Sequence, residues 1–279
     1  MNGEGKVMKV AIQGELGSFS HQAARQLAPE SSPVACATAL DVIRALESGA
    51  AEQAVIPVEN SLAGSVVDFY DLFFDHELAV RRELQMRIRH NLLGRPGASI
   101  AGLRRVLSHP VALAQCRDFF AAHPKLMAEG FYDTAGAVQH VMREKDPSLG
   151  AIAARQAATQ YGAEILQEGI EDRAQSFTRF WLIGAESGNS APPAKLSVMF
   201  SLENRPGALL QALTAFAARQ MNLTKIESRP LVGHPWEYVF YADVAITTAQ
   251  EAEIVLNDLR RICPMVKELG RYPVAVSAS

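Results

Sequence analysis

Cysteine is scarce in this sequence, and its placement excludes two kinds of small scaffold. The 279 residues include three cysteines, Cys36, Cys116 and Cys263, which lie far apart and form no CxxC pair. A disulfide framework or a structural zinc site is therefore not expected, since both need closely spaced or evenly numbered cysteines. We predict instead three buried thiols in a cytoplasmic protein.

The chain also lacks a strong net charge, an apolar leader and a long apolar run. Lys and Arg total 27 and Asp and Glu 30, a formal net charge of −3, which gives no indication of nucleic-acid binding. The first nine residues are polar, unlike a signal peptide. The apolar stretch 208–218 is interrupted by Gln211 and Thr214 and falls short of the roughly 20 residues of a membrane span. We therefore expect that the protein binds neither nucleic acid nor a membrane.

What is present is an alternation of short apolar runs and helical patterns over residues 8–184. Lys9–Gln13, Gln53–Pro57 and Arg105–Ser108 read as buried strands, each followed by a helical pattern. This order predicts an α/β domain. Leu84–His90 alternates apolar and polar residues with period two, which predicts an extended segment that crosses between two lobes.

Residues 185–194 (AESGNSAPPA) are rich in Gly, Ser and Pro and predict a linker. The pattern that follows, over 195–275, is strand, helix, strand, strand, helix, strand, a ferredoxin-like βαββαβ arrangement. The predicted bounds are strand 195–202, helix 208–220, strands 223–231 and 236–246, helix 249–262 and strand 266–274.

Polar residues in the first domain cluster where strands meet helices. Gly14–Ser20 (GELGSFS) places two glycines and the side chains of Ser18, Phe19 and Ser20 at a helix start. Free backbone N–H groups at such a start bind carboxylate or phosphate. An ordinary N-cap with turn glycines explains the same residues. The motif is neither GxGxxG nor a P-loop, so it predicts no nucleotide.

The ends of two other predicted strands carry polar side chains as well. Glu59, Asn60 and Ser61 follow one strand, and Ser108 and His109 follow another. Ligands of α/β folds bind at this end of the sheet, although helix capping by the same residues is the alternative.

Two further residues have a structural interpretation that competes with a functional one. Thr134 is predicted to cap a helix over Ala135–Glu144. His90 lies on the apolar parity of its strand, which favours a core histidine over a ligand.

Thr178-Arg179-Phe180 sets a hydroxyl and a fixed cation beside an aromatic ring just before the linker. No histidine, cysteine or carboxylate pair is close in sequence. The stretch therefore predicts a weak proton donor and an anionic substrate, and argues against a hydrolytic triad or a metal site.

Two segments of the second domain suit an amino acid. In Asn204–Leu210 (NRPGALL), a Pro-Gly turn frees N–H groups at a helix start, and Glu227-Ser228-Arg229-Pro230 places charges at a strand end. N–H groups and an arginine can hold a carboxylate, and an acid can hold an ammonium. A turn with a surface ion pair is the alternative.

These motifs together resemble prephenate dehydratase. GELGSFSHQAA (14–24), PVENSLAGSV (57–66), LSHPVALAQC (107–116), TAGAV (134–138) and FTRF (177–180) resemble its catalytic domain, and NRPGALL with NLTKIESRP (222–230) resembles the regulatory ACT domain. The resemblance implies two α/β lobes like a type II periplasmic binding protein, conversion of prephenate to phenylpyruvate without a cofactor, feedback inhibition by phenylalanine, and assembly as a dimer or tetramer.

Thr178 corresponds to the threonine considered essential in this family. We expect substrate contacts from Ser18, Phe19, Ser20, Glu59, Asn60, Ser61, Ser108, His109, Gln115, Thr134, Ala135, Gly136, Arg179 and Phe180. We expect phenylalanine contacts from Asn204, Pro206, Gly207, Ala208, Leu209, Glu227, Ser228, Arg229 and Pro230.

Three residues depart from the family pattern. Leu16 stands where Pro is common, Ser176 where Asn is common and Val138 where Ala is common. The last two bear on substrate preference, so arogenate dehydratase, which acts on the aminated form of the substrate, is the nearer alternative. A non-enzymatic amino-acid sensor is the more distant one.

Overall fold

The computed structural model describes residues 7–185, 191–231 and 236–278. In chain order its strands are β1 (Lys9–Gln13), β2 (Ser32–Cys36), β3 (Gln53–Asn60), β4 (Gly64–Ser65), β5 (Val80–Arg87), β6 (Asn91–Gly94), β7 (Arg105–Ser108), β8 (Met127–Gly130), β9 (Leu149–Ala153), β10 (Glu164–Gln167), β11 (Phe177–Gly184), β12 (Lys195–Ser201), β13 (Leu223–Pro230), β14 (Tyr238–Ala245), β15 (Val266–Tyr272) and β16 (Val276–Ala278). Its α-helices are α1 (Phe19–Leu27), α2 (Ala39–Glu47), α3 (Val67–Asp75), α4 (Pro110–Ala114), α5 (Arg117–Ala122), α6 (Thr134–Glu144), α7 (Arg155–Tyr161), α8 (Ala208–Ala217) and α9 (Ala249–Ile262).

The first compact unit contains two sheets, which form the two α/β lobes that the sequence predicts. One sheet has the order β16-β5-β11-β3-β1-β2, with β4 paired to β3, and the other has the order β10-β6-β9-β7-β8. In the first sheet β1 runs parallel to both β2 and β3, and in the second β7 runs parallel to β8 and β9. Parallel strands joined through helices are typical of α/β folds.

The chain passes between these two sheets twice, from β5 to β6 and from β10 to β11. The two crossing segments bond each other, since the Ile88 N–H donates to the Ser176 carbonyl at 2.8 Å. Leu84, Met86 and Ile88 are all buried, which confirms the period-two prediction for this segment. His90 at its end is buried as well.

One helix start agrees with the sequence and another corrects it. Ser18 accepts a hydrogen bond from His21 N and caps α1, and Thr38 and Asp41 form a capping box at the start of α2. Thr134, however, is the first residue of α6 and not its cap. Asp133 holds that position and accepts from Gly136 N at 2.7 Å, since an Asp side chain reaches the N3 amide from an extended N-cap.

The second compact unit has the predicted ferredoxin-like arrangement. Its sheet has the order β13-β14-β12-β15, and each neighbouring pair is antiparallel. Helices α8 and α9 cover one face, where Phe200, Phe216, Val244, Leu256 and Leu259 pack into one core. Of the predicted linker, residues 186–190 lie outside the described residues.

This second unit also includes His76–Glu83, which the sequence assigns to the first domain. The Glu83 carboxylate is buried and pairs with Lys195 at 2.7 Å. Backbone packing is equally close, because a Cβ on Gly270 would lie 2.3 Å from the Val80 carbonyl oxygen. The charges of Val80–Glu83 hide this burial from a pattern-based prediction.

Cys36, Cys116 and Cys263 are unpaired and buried, as predicted from their spacing. Among the helices that the structure describes, none combines the length and the apolarity that crossing a bilayer requires.

Candidate active site

A cavity of about 480 Å³ opens in the first unit where strand ends and helix starts meet. Residues from β3 and β11 form part of its wall, the crossing segment after β5 adds Ile88 and His90, and the starts of α1 and α6 complete it. The predicted site residues in its lining are Ser18, Phe19, Ser20, Asn60, His109, Gln115, Thr134, Thr178 and Phe180. Residues from Ser18 to Phe180 thus meet in the lining of one cavity.

Strand alternation on β11 separates the members of the Thr178-Arg179-Phe180 stretch. Thr178 and Phe180 are buried in the cavity wall, because residues two apart share a face of a strand. Arg179 lies on the other face and pairs with Glu59 at 2.6 Å. Neither Arg179 nor Glu59 belongs to the cavity lining, so the structure does not bring these two predicted substrate contacts to the cavity.

Four other predicted contacts support the wall without forming it. The Ser61 hydroxyl accepts from Phe177 N at 3.0 Å and so ties the end of β3 to β11. The Ser108 hydroxyl is fully buried and donates to the Ile152 carbonyl at 2.6 Å. Ala135 and Gly136 are buried in the first turn of α6.

Asn60 fixes the orientation of the Thr178 hydroxyl. The Asn60 Oδ1 accepts from the Leu62 and Ala63 N–H groups at 3.0 and 2.9 Å, which assigns its amide unambiguously. Its Nδ2 then donates to Thr178 Oγ1 at 2.9 Å. Because Thr178 accepts this bond, its own proton remains available for another acceptor. A hydroxyl bonded to an amide rather than to a histidine suits hydrogen-bond donation better than nucleophilic attack.

The same chain continues through Gln115 to His90. Gln115 Nε2 lies 3.4 Å from Asn60 Oδ1, and Gln115 Oε1 lies 2.9 Å from His90 Nε2. Since the Gln115 oxygen faces the ring, His90 Nε2 carries the proton. Burial lowers the pKa of His90, which keeps its ring neutral. The residue that the sequence places in the core is thus both buried and part of the cavity wall, next to Phe19.

Sequence reasoning missed the acidic part of the cavity. Glu15, Asp68 and Asp133 line it, whereas none of the described lining residues is Lys or Arg. Glu15 lies inside the quoted GELGSFS motif, and Asp133 directly precedes the quoted TAGAV motif. Both acidic residues were therefore visible in or beside the motifs. The motifs were interpreted as a glycine-rich loop and a helix cap, so their carboxylates were not considered.

Burial and mutual repulsion perturb this acidic group. The pKa of Asp133 is raised, first by burial and further by the charge of Glu15. Tyr132 donates to Glu15 Oε1 at 3.0 Å, and burial together with this bond raises the pKa of the tyrosine to about 12. Perturbed titratable groups in a cleft are typical of functional sites.

An anion in this cavity meets a helix start rather than side-chain cations. The start of α1 carries Ser18–Ser20, whereas the Asp133 carboxylate already caps the start of α6. The unpaired N–H groups and positive dipole of a helix start stabilise a carboxylate. Phe19, Ile88 and Phe180 supply apolar wall beside them.

In the second unit, the structure brings the two predicted phenylalanine-binding segments to one end of the sheet. Ser201, which ends β12, and Arg229 near the end of β13 both pair with Val239 of β14. Asn204, Pro206 and Leu209 follow β12 and are exposed, and Gly207 is the N-cap of α8 with a φ of 83°. Of the remaining predicted contacts, Ala208 is buried, Glu227 is partly buried, and Ser228 and Pro230 are exposed.

The three departures from the family pattern occupy different surroundings. Ser176 is buried, and its hydroxyl lies 3.4 Å from Asn60 Nδ2, beside the Thr178 contact. Val138 is fully buried in the core of the second lobe, and Leu16 packs against the core of the first. Only Ser176 of the three therefore touches the polar chain of the cavity.

Comparison with protein-family models matches both parts of the chain. The model for prephenate dehydratase matches residues 10–188, and the model for the ACT domain matches residues 196–263. Among curated proteins, arogenate dehydratase/prephenate dehydratase 2, chloroplastic, of Arabidopsis thaliana is 39% identical over 282 residues, which cover 97% of this chain and 74% of the plant protein.

Two solved structures are similar over nearly the whole chain. Prephenate dehydratase of Arthrobacter aurescens in complex with L-Phe has a TM-score of 0.87 and 30% identity, covering 96% of this chain and 90% of that one. A protein called GqqA and described as a novel type of quorum-quenching acylase has a TM-score of 0.86 and 34% identity, covering 96% and 98%.

Proposed function

Because the chain belongs to the prephenate dehydratase family, we propose that it converts prephenate to phenylpyruvate and that phenylalanine regulates it through the ACT domain. The catalytic domain spans residues 8–184, the linker 185–194 and the ACT domain 195–275. The observation that carries the proposal is the Thr178 hydroxyl, which lies in the cavity wall with its proton left available by Asn60.

The reaction needs no electron acceptor from outside the substrate. The bond from the ring to its carboxylate breaks and releases carbon dioxide, and the electron pair of that bond completes the aromatic ring. The C–O bond on the opposite side of the ring breaks with its electron pair, and the oxygen takes up one proton to leave as water. Charge therefore develops on the departing oxygen, and a donor aimed at this oxygen lowers the barrier.

Thr178 is that donor in our proposal. Asn60 Nδ2 occupies a lone pair of Thr178 Oγ1, which directs the hydroxyl proton to a different acceptor, and the departing oxygen provides one. A charge-assisted hydrogen bond formed mainly in the transition state raises kcat more than it improves binding.

The lack of Lys and Arg among the described lining residues supports the decarboxylation half of the reaction. A cation beside the ring carboxylate would stabilise the charge that must be lost. An apolar wall without a cation leaves that carboxylate poorly solvated, which favours its departure as neutral carbon dioxide. The substrate's other carboxylate then binds at the start of α1, since Asp133 already occupies the start of α6.

Arogenate is the second candidate substrate, and the acidic lining favours it. Arogenate carries an ammonium group where prephenate has a keto oxygen, and Glu15 and Asp133 are carboxylates of the wall. The Arabidopsis relative is named for both activities. The substrate's ammonium would neutralise a cluster that otherwise has no cation in the described lining.

Phenylalanine is the proposed effector, and the active form is a homo-oligomer in the cytoplasm. The match to the ACT model, the position of Asn204–Leu209 beside Arg229 at one sheet end, and the L-Phe complex of the Arthrobacter structure support the first statement. Three buried, unpaired cysteines support the proposed cytoplasmic location.

The test is a turnover assay of the pure protein with prephenate and with arogenate, each with and without phenylalanine. We expect phenylpyruvate from prephenate or phenylalanine from arogenate, and slower turnover when phenylalanine is added with prephenate. Consumption of neither substrate would overturn the proposal. Hydrolysis of an N-acyl amide instead would point to the acylase activity for which GqqA is named.

A further inference from the structure

A second cavity, of about 390 Å³, lies between α1 and α7 in the first unit. Helix α1 contributes His21, Gln22 and Arg25, and α7 contributes Arg155 and Gln156 among others. Every described residue of its lining is polar, and none is acidic. The proposed reaction uses none of these side chains, so the cavity has no role in it.

His21 presents a hydrogen-bond donor in this lining. The residue is 8% exposed, and its Nδ1 accepts from Gly17 N at 2.9 Å and lies 3.1 Å from Gln156 Nε2. A nitrogen that accepts a backbone N–H carries no proton, so in the neutral ring the proton is on Nε2. Within the described part of the chain Nε2 has no hydrogen-bond partner, and it is not among the fully buried polar atoms that lack one. It is therefore open to the cavity and can donate to a ligand there.

The two arginines differ in how far their charge is already neutralised. Arg155 forms an ion pair with Glu168, whose side chain is 57% exposed. Arg25 forms no ion pair among the residues that the structure describes, yet it lies close enough to His21 to disfavour a charge on that ring. The cavity therefore has an exposed guanidinium with no acidic partner among the described residues, beside an N–H donor that is open to the cavity.

We propose that this second cavity binds a doubly charged oxyanion of the phosphate type. Guanidinium groups donate paired hydrogen bonds to phosphate oxygens, and amide and imidazole N–H groups supply further donors from other directions. The donors come from two helices that approach closely, since a Cβ on Gly17 would lie 2.9 Å from Ala157 Cα. The anion would thus join α1 to α7.

The proposal is independent of the dehydratase reaction and is tested by binding alone. Inorganic phosphate is titrated into the full chain by isothermal titration calorimetry, with chloride at matched ionic strength as the reference and acetate as a carboxylate probe. We expect saturable binding of one phosphate, and binding weaker by about tenfold in Arg25→Gln, which loses a charge-assisted contact.

Matched variants distinguish this site from other sources of binding. Arg44→Gln, which removes a 67%-exposed arginine of α2, is expected to bind phosphate like the wild type, and Glu168→Gln more tightly because a competing carboxylate is lost. Equal affinities of Arg25→Gln and Arg44→Gln would overturn the proposal. So would equal affinity for acetate, or a loss of phosphate binding in Thr178→Ala with none in Arg25→Gln.

Discussion

Helix α1 contributes to two cavities of opposite chemical character. Its first turn, Ser18–Ser20, lines a cavity that contains three carboxylates and apolar rings and, among its described residues, no Lys or Arg. The next turns line a cavity with two arginines and no described acidic residue. Side-chain cations thus lie beside the candidate active site rather than in it.

This difference shows how the proposed active site manages an anionic substrate. A fixed cation would hold both carboxylates, including the one that must leave. Helix starts act over a short range and stabilise only a carboxylate placed at the first turn. The cation-free cavity can therefore bind one carboxylate and destabilise the other.

The largest expected effect comes from removing the hydroxyl in the first cavity. Thr178→Ala should lower kcat by about 10²–10⁴-fold with a smaller change in KM, the range of a lost donor in the transition state. Steady-state kinetics measures both constants, and Thr178→Ser, which keeps the hydroxyl, should retain most activity. Near-normal kcat in Thr178→Ala would remove this residue from the chemistry.

A smaller loss of kcat is expected when the Thr178 hydroxyl is kept but the hydrogen bond that orients it is removed. Asn60→Ala removes the donor to Thr178 Oγ1 and the acceptor for two backbone N–H groups. We expect kcat to fall by about 10- to 100-fold, equivalent to about 1.4–2.7 kcal/mol. Arg44→Gln on the exposed face of α2 is the control for nonspecific effects, and an equal loss in both variants would contradict a positioning role.

Substitution of Arg179 tests whether this arginine contributes a cation to the substrate site. Its side chain is 14% exposed and paired with Glu59 at 2.6 Å on the far face of β11. Arg179→Gln should lower the free energy of unfolding by about 1–3 kcal/mol, because the partly buried Glu59 carboxylate loses a charged hydrogen-bond donor. It should change KM by less than about threefold. Urea unfolding and kinetics measure the two. A tenfold or greater rise in KM at unchanged stability would return Arg179 to the substrate site, as the sequence predicts.

The smallest expected effect is a pH dependence of stability from one histidine in each cavity. Burial lowers the pKa of both His21 and His90 below the ordinary value of 6.5. Between the lowered value and 6.5 the unfolded chain binds more protons, so stability rises with pH up to about 6.5 and then levels. Carboxylates with a lowered pKa, such as Asp41 and Glu251, change stability only at pH values below their ordinary pKa values of 3.8 and 4.5.

Urea unfolding at a series of pH values above 5 avoids these lowered carboxylates, but Asp133, whose pKa is raised, contributes a slope of opposite sign. Comparison of the wild type with His90→Gln cancels the contribution of Asp133, which both proteins share. His90→Gln should flatten part of the rise, since its amide can replace the donor to Gln115 without titrating. Stability that changes with pH equally in His90→Gln and in the wild type would contradict the buried neutral state of the His90 ring.

The sequence predicts elements well where burial follows a simple period. Leu84, Met86 and Ile88 alternate, and the structure buries all three. The segment just before them, Val80–Glu83, belongs to β5 and to the second unit. Its arginines and Glu83 read as surface residues, because only the folded chain shows that Lys195 neutralises Glu83.

The sequence predicted which residues form the candidate site better than it predicted what each side chain does there. Thr178, Asn60 and Gln115 lie in quoted motifs, and the structure joins them in one hydrogen-bonded chain. Arg179 lies in the same motif but on the opposite face, since neighbours on a strand diverge. That Asp133 rather than Thr134 caps α6 depended on which of two adjacent polar residues is extended.

A double-mutant cycle measures whether Asn60 acts on the reaction through the Thr178 hydroxyl. The kcat values of Asn60→Ala, Thr178→Ala and the double variant are compared with the wild type. If Asn60 serves only to orient that hydroxyl, the double variant should be no slower than Thr178→Ala alone, within about twofold. Losses that multiply, so that the double variant is slower by a further 10-fold or more, would show that Asn60 and Thr178 act independently and would contradict a positioning role for Asn60.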